Sequence, residues 1–507
     1  MTPKTVELNC WLEPLIWAAS DCEMRKVLDE ALSLLAGNPA ILGRIEADQD
    51  AVAKAKKKVR QADRRWQTAL TLSLPGVCEE TMPLEAEQLT LESGRPRMKP
   101  EVVYVFMVLR GYLGSIGDQE ARDRLLDSTT VQLYLHSRGE VMPGWTTILE
   151  NVNAVSNATR SFILDAQLTS ILDEGLDDFS QAILDSTAVE ANSAWPTDAR
   201  ILLGLLERAF ASSQKLQDFG LSNIPVWWVP QWLKKLRKLL FKINNATGKP
   251  GSKGKRKKHY RQFFHNTAKI LDHLIPHCVE RDPVTEAVAQ PPSRKALLAK
   301  LWERLAEDVC DACAVFHYAE ERIFEDKVRP AAEKLLSLVD GEAAYIEKGG
   351  REAVIGYKPQ LARSAQGFVP ALIVPEGNAA DSTQLVPLVQ QIQERTGVTP
   401  EDVSTDDGFT SEEGRDKLLA AGVVQVSFSG SNGKKLLSEE VWNDPAYVEA
   451  RRQRSAVESL IFTLKHVFAF GRLRRRGREE AYAELLEKVI AYHFSRMLLV
   501  RLRKAAA

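Results

Sequence analysis

The chain has 507 residues, 44% of them hydrophobic, with 67 basic and 68 acidic side chains and a formal net charge of -1. That length and hydrophobic content can bury a large core and correspond to about three domains. A balanced total excludes a uniformly basic or acidic protein, so any surface for a polyanion must come from local segregation of charge.

Residues 1–165 read as helical throughout. "RIEADQDAVAKAKKKVRQADRRWQTAL" is a long charged helix, and Pro100 stands in the first turn of another. The stretch "SIGDQEARDRLLDSTTVQLYLHSRGEVMPGWTTILENVNAVS" gives two short helices, a Gly/Pro turn and a helix from about Trp145. That is the outline of a helix-turn-helix, whose last helix would enter a major groove.

Ile183 and Leu184 then close a strand that ends on Asp185, in "QAILDSTAVEANSAWPTDAR". From 200 to 344 the pattern is helical again. No acid lies between Asp218 and Asp272, while "WLKKLRKLLFKINNATGKPGSKGKRKKHYRQFF" is crowded with Lys and Arg. "VWWVPQWLKKLRKLLFKI" is amphipathic, and its basic face suits a membrane surface, a DNA backbone or plain solvent equally. "NNATGKPGSKGKRKK" has the composition of a mobile loop, placing Lys255, Arg256, Lys257 and Lys258 for phosphate contacts.

After 344 the period becomes extended. "REAVIGYKPQLARS" and "GFVPALIV" read as one hairpin, in which Lys358 is a solvated side chain. "EGNAADSTQLVPLVQQIQERTG" is a loop and a helix, with Asn378 and Asp381 as turn and cap residues. "EDVSTDDGFTSEEGRDKLLAAGVVQVSFSG" gives strand, acid, helix, strand, with Thr410 and Glu413 spaced as a capping box. "AYVEARRQRSAVESLIFTLKHVF" is one long helix with Glu458 in its middle. A second acid-free stretch follows Glu458 and contains Arg474, Arg475 and Arg476.

The six cysteines form no spaced framework, no secretory leader is recognisable, and no apolar run would span a bilayer, so a cytoplasmic protein without a membrane partner is expected. Neither the lone Cys310–Cys313 pair nor His273 and His277, with Pro276 between them, is expected to hold a metal.

A strand ending at Asp185, a strand ending at Asp406 and Asp407, and a late helix carrying Glu458 are the parts of a mixed α/β domain in which carboxylates from separate elements could meet. Such a ribonuclease H-like core could bind two divalent ions, and hard oxygen donors favour magnesium or manganese. Of the adjacent pair, Asp406 still belongs to the strand end, whereas Asp407 is placed to accept backbone hydrogens in the turn before Thr410. Arg454, Glu458 and Lys465, four and seven residues apart, would share one helical face.

"LDSTAVEAN" with "PTD" following, "GYKPQL", "GNAADS", "STDDGFTS" and "RRQRSAVESLIFTLK", in that order, resemble the DDE transposases of bacterial insertion sequences, most like the ISNCY-type group. The resemblance covers nearly the whole catalytic half and, more loosely, the helical start. It implies a multidomain protein: a helical DNA-binding region (1–165), a ribonuclease H-like catalytic domain in two parts (166–199 and 345–507) and a helical basic insertion (200–344). Asp185, Asp406 and Glu458 match the family's catalytic and metal-binding triad, with two Mg2+ or Mn2+ ions per site. Arg454 and Lys465 match its cations four residues before and seven residues after the Glu; Arg451 stands where the family has Tyr.

The implied reaction is nicking at element ends and joining of the 3′ hydroxyls to target DNA, by a homodimer or higher assembly on DNA in the nucleoid. Lys255, Arg256, Lys257, Lys258, Arg474, Arg475 and Arg476 are the further DNA-binding candidates. The same carboxylates would serve a nuclease that cuts without joining, and a non-catalytic DNA-binding descendant would keep only the basic segments.

Overall fold

The computed structural model describes residues 22–72, 97–114, 118–193, 197–218, 228–246, 251–279, 292–347 and 353–506. Contacts divide the chain into two compact units: Met1–Ala51, Arg95–Asn192 and Glu342–Ala507 form one, and Val52–Gly94 with Ser193–Gly341 the other. No helix among the described residues is long and apolar enough to cross a membrane.

The first unit contains all the strands found among the described residues: β1 (Gln181–Ser186), β2 (Val189–Glu190), β3 (Ala344–Ile346), β4 (Val354–Tyr357), β5 (Gln360–Ser364), β6 (Ala371–Ile373), β7 (Asp402–Asp406) and β8 (Gln425–Ser429). Five of them form a mixed sheet in the order β6-β5-β1-β7-β8. β5 runs antiparallel to both β1 and β6, whereas β7 runs parallel to both β1 and β8. The parallel step from β7 to β8 needs a crossover, and the helix Glu412–Ala420 supplies it.

Successive strand side chains leave opposite faces, which sorts this sheet. Ala182, Leu184, Val403, Val426 and Phe428 face a core shared with Leu385, Leu388 and Ile392 of the helix Leu385–Thr396 and with Leu418 of the crossover helix. Ser404 faces the other way, its hydroxyl donating to the Ala450 carbonyl (3.1 Å) on the helix Pro445–Gln453. The helix Ala456–His466 contacts β1. Ile183 is in register with Ser404, so Asp185 and Asp406, each two residues further on, leave the sheet on this second face.

The expected single hairpin is two structures. β5 and β6 do pair, but β4 belongs to a separate three-stranded sheet, β2-β4-β3. The break falls at Lys358–Pro359, because Pro lacks the N–H a continuing ladder needs; the Pro359 carbonyl instead accepts the Thr187 N–H. Gly356 lets β2 approach, since a Cβ there would lie 1.9 Å from the Val189 carbonyl oxygen.

Near the start of this unit the helices Asp118–Asp127, Thr129–Ser137 and Trp145–Ala154 follow the expected outline, and the Ser128 hydroxyl caps the second by accepting the Val131 N–H. The last of them buries Ile148 and Val152, and its one charged residue is Glu150, so it offers no cation to a phosphate.

The second unit is built on the helices Asp198–Asp218, Val229–Asn245, Ser252–Val279 and Pro292–Phe324. Val229–Asn245 buries Val229, Leu233, Leu236, Leu239 and Ile243, which settles its apolar stripe as core. Its opposite face exposes Lys234, Lys235, Arg237 and Lys238. Of the segment expected to be a loop, residues 247–250 lie outside the described residues, and its part from Ser252 on is the first turns of Ser252–Val279: Gly251 turns the chain at φ +76°, and the good helix formers after Gly254 continue it. Lys255 and Lys258 are exposed, while Arg256 and Lys257 are half-buried. Pro276 is accommodated in the last turn, the His273 ring nitrogen lies 3.0 Å from the Lys269 carbonyl, and the His277 side chain lies outside the described residues.

The first unit is closed by the long helix Arg478–Ala506, whose buried Glu487 collects three guanidinium groups. Arg110 of the helix Pro100–Leu113 binds it at 2.7 Å, Arg160 of the helix Asn157–Asp173 at 2.8 Å, and Arg475 at 2.8 Å. The helices cross so closely at Gly111 that a Cβ there would lie 2.4 Å from the Glu487 carbonyl oxygen. Removing one partner of a buried ionic cluster leaves the others uncompensated. Glu487→Ala is therefore expected to destabilise this unit by about 3–5 kcal/mol in denaturant unfolding. A loss below 1 kcal/mol would mean that water already screens the cluster.

Candidate active site

Asp185 lies at the carboxyl end of the central strand, 4% exposed, with its Oδ1 accepting the Ser186 N–H at 2.7 Å. Asp406 ends the neighbouring parallel strand, half-buried, and its Oδ1 accepts the Gly408 N–H at 3.0 Å. Adjacent strands run about 4.8 Å apart, so equivalent positions on one face set these two carboxylates side by side.

Asp407 points elsewhere. Its Oδ1 accepts the N–H groups of Asn432 (2.8 Å) and Gly433 (3.1 Å), and so caps the helix Ser431–Leu436. It does accept backbone hydrogens, but from a helix start 25 residues later; the turn amide of Gly408 goes to Asp406 instead. The fit is tight, because a Cβ at Gly430 would come within 2.5 Å of the Asp407 carboxyl carbon. The expected capping box of Thr410 and Glu413 does not form, and a plain serine cap one residue later replaces it. Ser411, not Thr410, caps Glu412–Ala420 by accepting the Gly414 N–H at 3.0 Å, and Glu413 pairs with Lys417 at 2.6 Å.

The expected long C-terminal helix is two, Pro445–Gln453 and Ala456–His466, and Arg454 sits in the joint. From there its guanidinium reaches Glu458 Oε1 at 3.1 Å and Asp185 Oδ2 at 3.6 Å. One cation therefore links a carboxylate of the central strand to a carboxylate of the overlying helix. Glu458 itself is exposed. Lys465 donates to the Ala188 carbonyl at 3.0 Å and ties the same helix to the segment after β1. Among the described residues no three His, Cys, Asp or Glu side chains converge closely enough to hold a metal ion. The donors near Asp185 are nonetheless hard carboxylate oxygens of the kind magnesium and manganese prefer.

Two of the quoted motifs meet beside this site. Lys358 of "GYKPQL" pairs with Asp381 of "GNAADS" at 2.8 Å, and the Gln360 side-chain amide donates to the same carboxylate at 2.7 Å. Asp381 is buried and ion-paired where a helix cap was expected, and Lys358 is nearly enclosed where a solvated side chain was expected. A Cβ at Gly408 would lie 3.1 Å from Asp381 Oδ2 and 3.2 Å from Asp406 Oδ1, so this ion pair braces the turn that carries Asp406. No local pattern announces it, since the partners lie 23 residues apart across a strand pair.

Asn192 donates to the Arg474 carbonyl at 2.9 Å, and Glu484 accepts the N–H groups of Arg474 and Arg475. The buried Lys488 donates to Ala469 and Glu484, and its burial lowers its pKa. These contacts fix the basic loop and leave the Arg474 and Arg476 side chains exposed. Arg475 turns inward to Glu487, which gives it a structural partner. Arg451 packs over the Trp442 ring at 3.8 Å and donates to the Trp442 carbonyl.

The two aspartates are separable by stability. Asp407→Ala removes a helix cap and is expected to lower stability by about 1 kcal/mol, whereas Asp407→Asn, which keeps an acceptor, loses much less. Thermal unfolding followed by circular dichroism distinguishes them, and an unchanged midpoint in the alanine variant would show that the cap does not operate.

No curated protein and no solved structure matches the sequence. Residues 327–494, which include Asp406, Arg454, Glu458 and Lys465 but not Asp185, match the family model described as the transposase DDE domain, and that match supports a DDE transposase.

Proposed function

We propose that the chain is a DNA transposase, most like the ISNCY-type group, that nicks the ends of a mobile element and joins the freed 3′ hydroxyls to target DNA. The observation that carries this reading is the placement of Asp185 and Asp406 on one sheet face, with Arg454 linking Asp185 to Glu458. A five-stranded mixed sheet whose central strand ends on a carboxylate supports a ribonuclease H-like catalytic domain.

Asp185, Asp406 and Glu458 are the residues that would hold two divalent cations. When bound, such ions activate a water or hydroxyl nucleophile and stabilise the leaving oxygen of a phosphodiester. The protein supplies position. The Ser186 and Gly408 amides fix the two aspartates, the Lys358–Asp381 pair braces the turn, and Lys465 holds the helix of Glu458 against the segment after β1.

The exposed cations belong to DNA. Lys255 and Lys258, with Arg256 and Lys257 beside them, lie on the first turns of one helix, packed against a helix that exposes Lys234, Lys235, Arg237 and Lys238. This array suits phosphates, which need charge and little geometry. Arg474 and Arg476 form a second group on a fixed loop. Since two ends must be joined, two copies act together on DNA.

Asp185→Ala and Glu458→Ala are each expected to abolish magnesium-dependent cleavage of element ends and leave gel-shift affinity within about twofold, because neither belongs to a basic surface. Cleavage at the wild-type rate by either folded variant contradicts the site. Neutralising Lys255, Arg256, Lys257 and Lys258 together is expected to weaken binding about equally for all sequences. It should also reduce the slope of log affinity against log salt by up to about 4. An unchanged slope would assign the four to solvent.

A further inference from the structure

We propose that Arg454 is a shared counter-ion that couples DNA contact to metal loading. Its guanidinium holds Asp185 and Glu458 together until a DNA phosphate draws it away, and only then are both carboxylates open to a divalent ion. The inference rests on the reading of Asp185, Asp406 and Glu458 as the metal site.

Three observations support it. Arg454 is 3.1 Å from Glu458, a charge-assisted hydrogen bond, but 3.6 Å from Asp185, beyond good hydrogen-bond length. Its hold on the central strand is therefore the looser of the two. Its Nε is buried without a hydrogen-bond partner, so the present pose leaves one of the five guanidinium donors unsatisfied at a cost that a new acceptor would remove. Arg454 also lies in the joint between two helices, where its backbone is not locked into a continuous helical ladder.

The competition follows from charge. A guanidinium and a divalent cation cannot both stand between the same carboxylates without strong repulsion in a partly buried site. Phosphate offers the planar fork the same paired oxygens that a carboxylate does, so DNA competes for Arg454 on equal chemical terms. By linkage, DNA then raises metal affinity and metal raises DNA affinity by the same factor.

The test is a Mn2+ titration of the full-length protein, following free ion by electron paramagnetic resonance, with and without a short duplex. Wild type, Arg454→Gln, Arg454→Lys and Asp185→Asn are compared, with folding checked by circular dichroism. Without DNA, Arg454→Gln is expected to bind Mn2+ at least about fivefold tighter than wild type, and DNA should enhance its binding less than it enhances that of wild type. Arg454→Lys, which keeps the charge but loses the fork, should fall between them and serves as the second reading if the glutamine variant is unstable. Equal or weaker Mn2+ binding by the folded Arg454 variants overturns the inference. If Asp185→Asn loses Mn2+ while the Arg454 variants match wild type, only the coupling falls. If Asp185→Asn binds like wild type, the metal site falls and the coupling with it.

Discussion

Carboxylates brought together from a strand end and an overlying helix repel one another unless a cation stands between them, and the placement of that cation governs the sheet-bearing unit of this protein. The sheet brings Asp185 and Asp406 to one face by register alone. Glu458 comes from the helix Ala456–His466, which contacts β1, and Arg454 supplies the positive charge between Asp185 and Glu458. Backbone amides hold Asp185 at 2.7 Å and Asp406 at 3.0 Å, and at Asp185 that bond is shorter than the 3.6 Å reach of the arginine. This arrangement leaves the anionic framework standing while the cation is exchangeable.

The last helix solves the inverse problem. Glu487 is one buried anion among three guanidinium groups, and Glu484 with Lys488 fixes the backbone of the basic loop beside it. Stability and display are thereby joined: Arg475 is spent on the interior, and its neighbours Arg474 and Arg476 are held outward. Burying a charged cluster contributes less to net stability than an apolar core of the same volume, so its use is the more informative feature. It sets the loop in one position relative to the strand that carries Asp185.

What was legible in the sequence was local. Apolar alternation located the strands ending at Asp185 and Asp406, and the change of period after 344 located the sheet, because both signals depend on residues within a few positions of each other. The helical pairing of Arg454 with Glu458 was legible for the same reason, although the joint at Arg454 was not. Asp407 was separable from Asp406 by strand alternation, yet its partners at Asn432 and Gly433 are fixed by β8 and the turn after it. The Lys358–Asp381 pair, the Arg110–Glu487 pair and the splitting of one hairpin into two sheets all depend on contacts distant in sequence, which no periodicity encodes. The basic segment after Gly251 has the glycines and lysines of a linker, yet the residues after Gly254 are good helix formers and fold as a helix.

In the protein alone Asp185 and Glu458 share the Arg454 guanidinium, and in our proposal Arg454 gives way to a metal ion when DNA is bound. Anomalous diffraction from crystals of the protein with a short duplex and Mn2+ tests it most directly. Manganese peaks are expected in contact with Asp185, Asp406 and Glu458, with the Arg454 guanidinium moved onto a phosphate. Manganese bound elsewhere on the protein, with Arg454 still bridging Asp185 and Glu458, would contradict it.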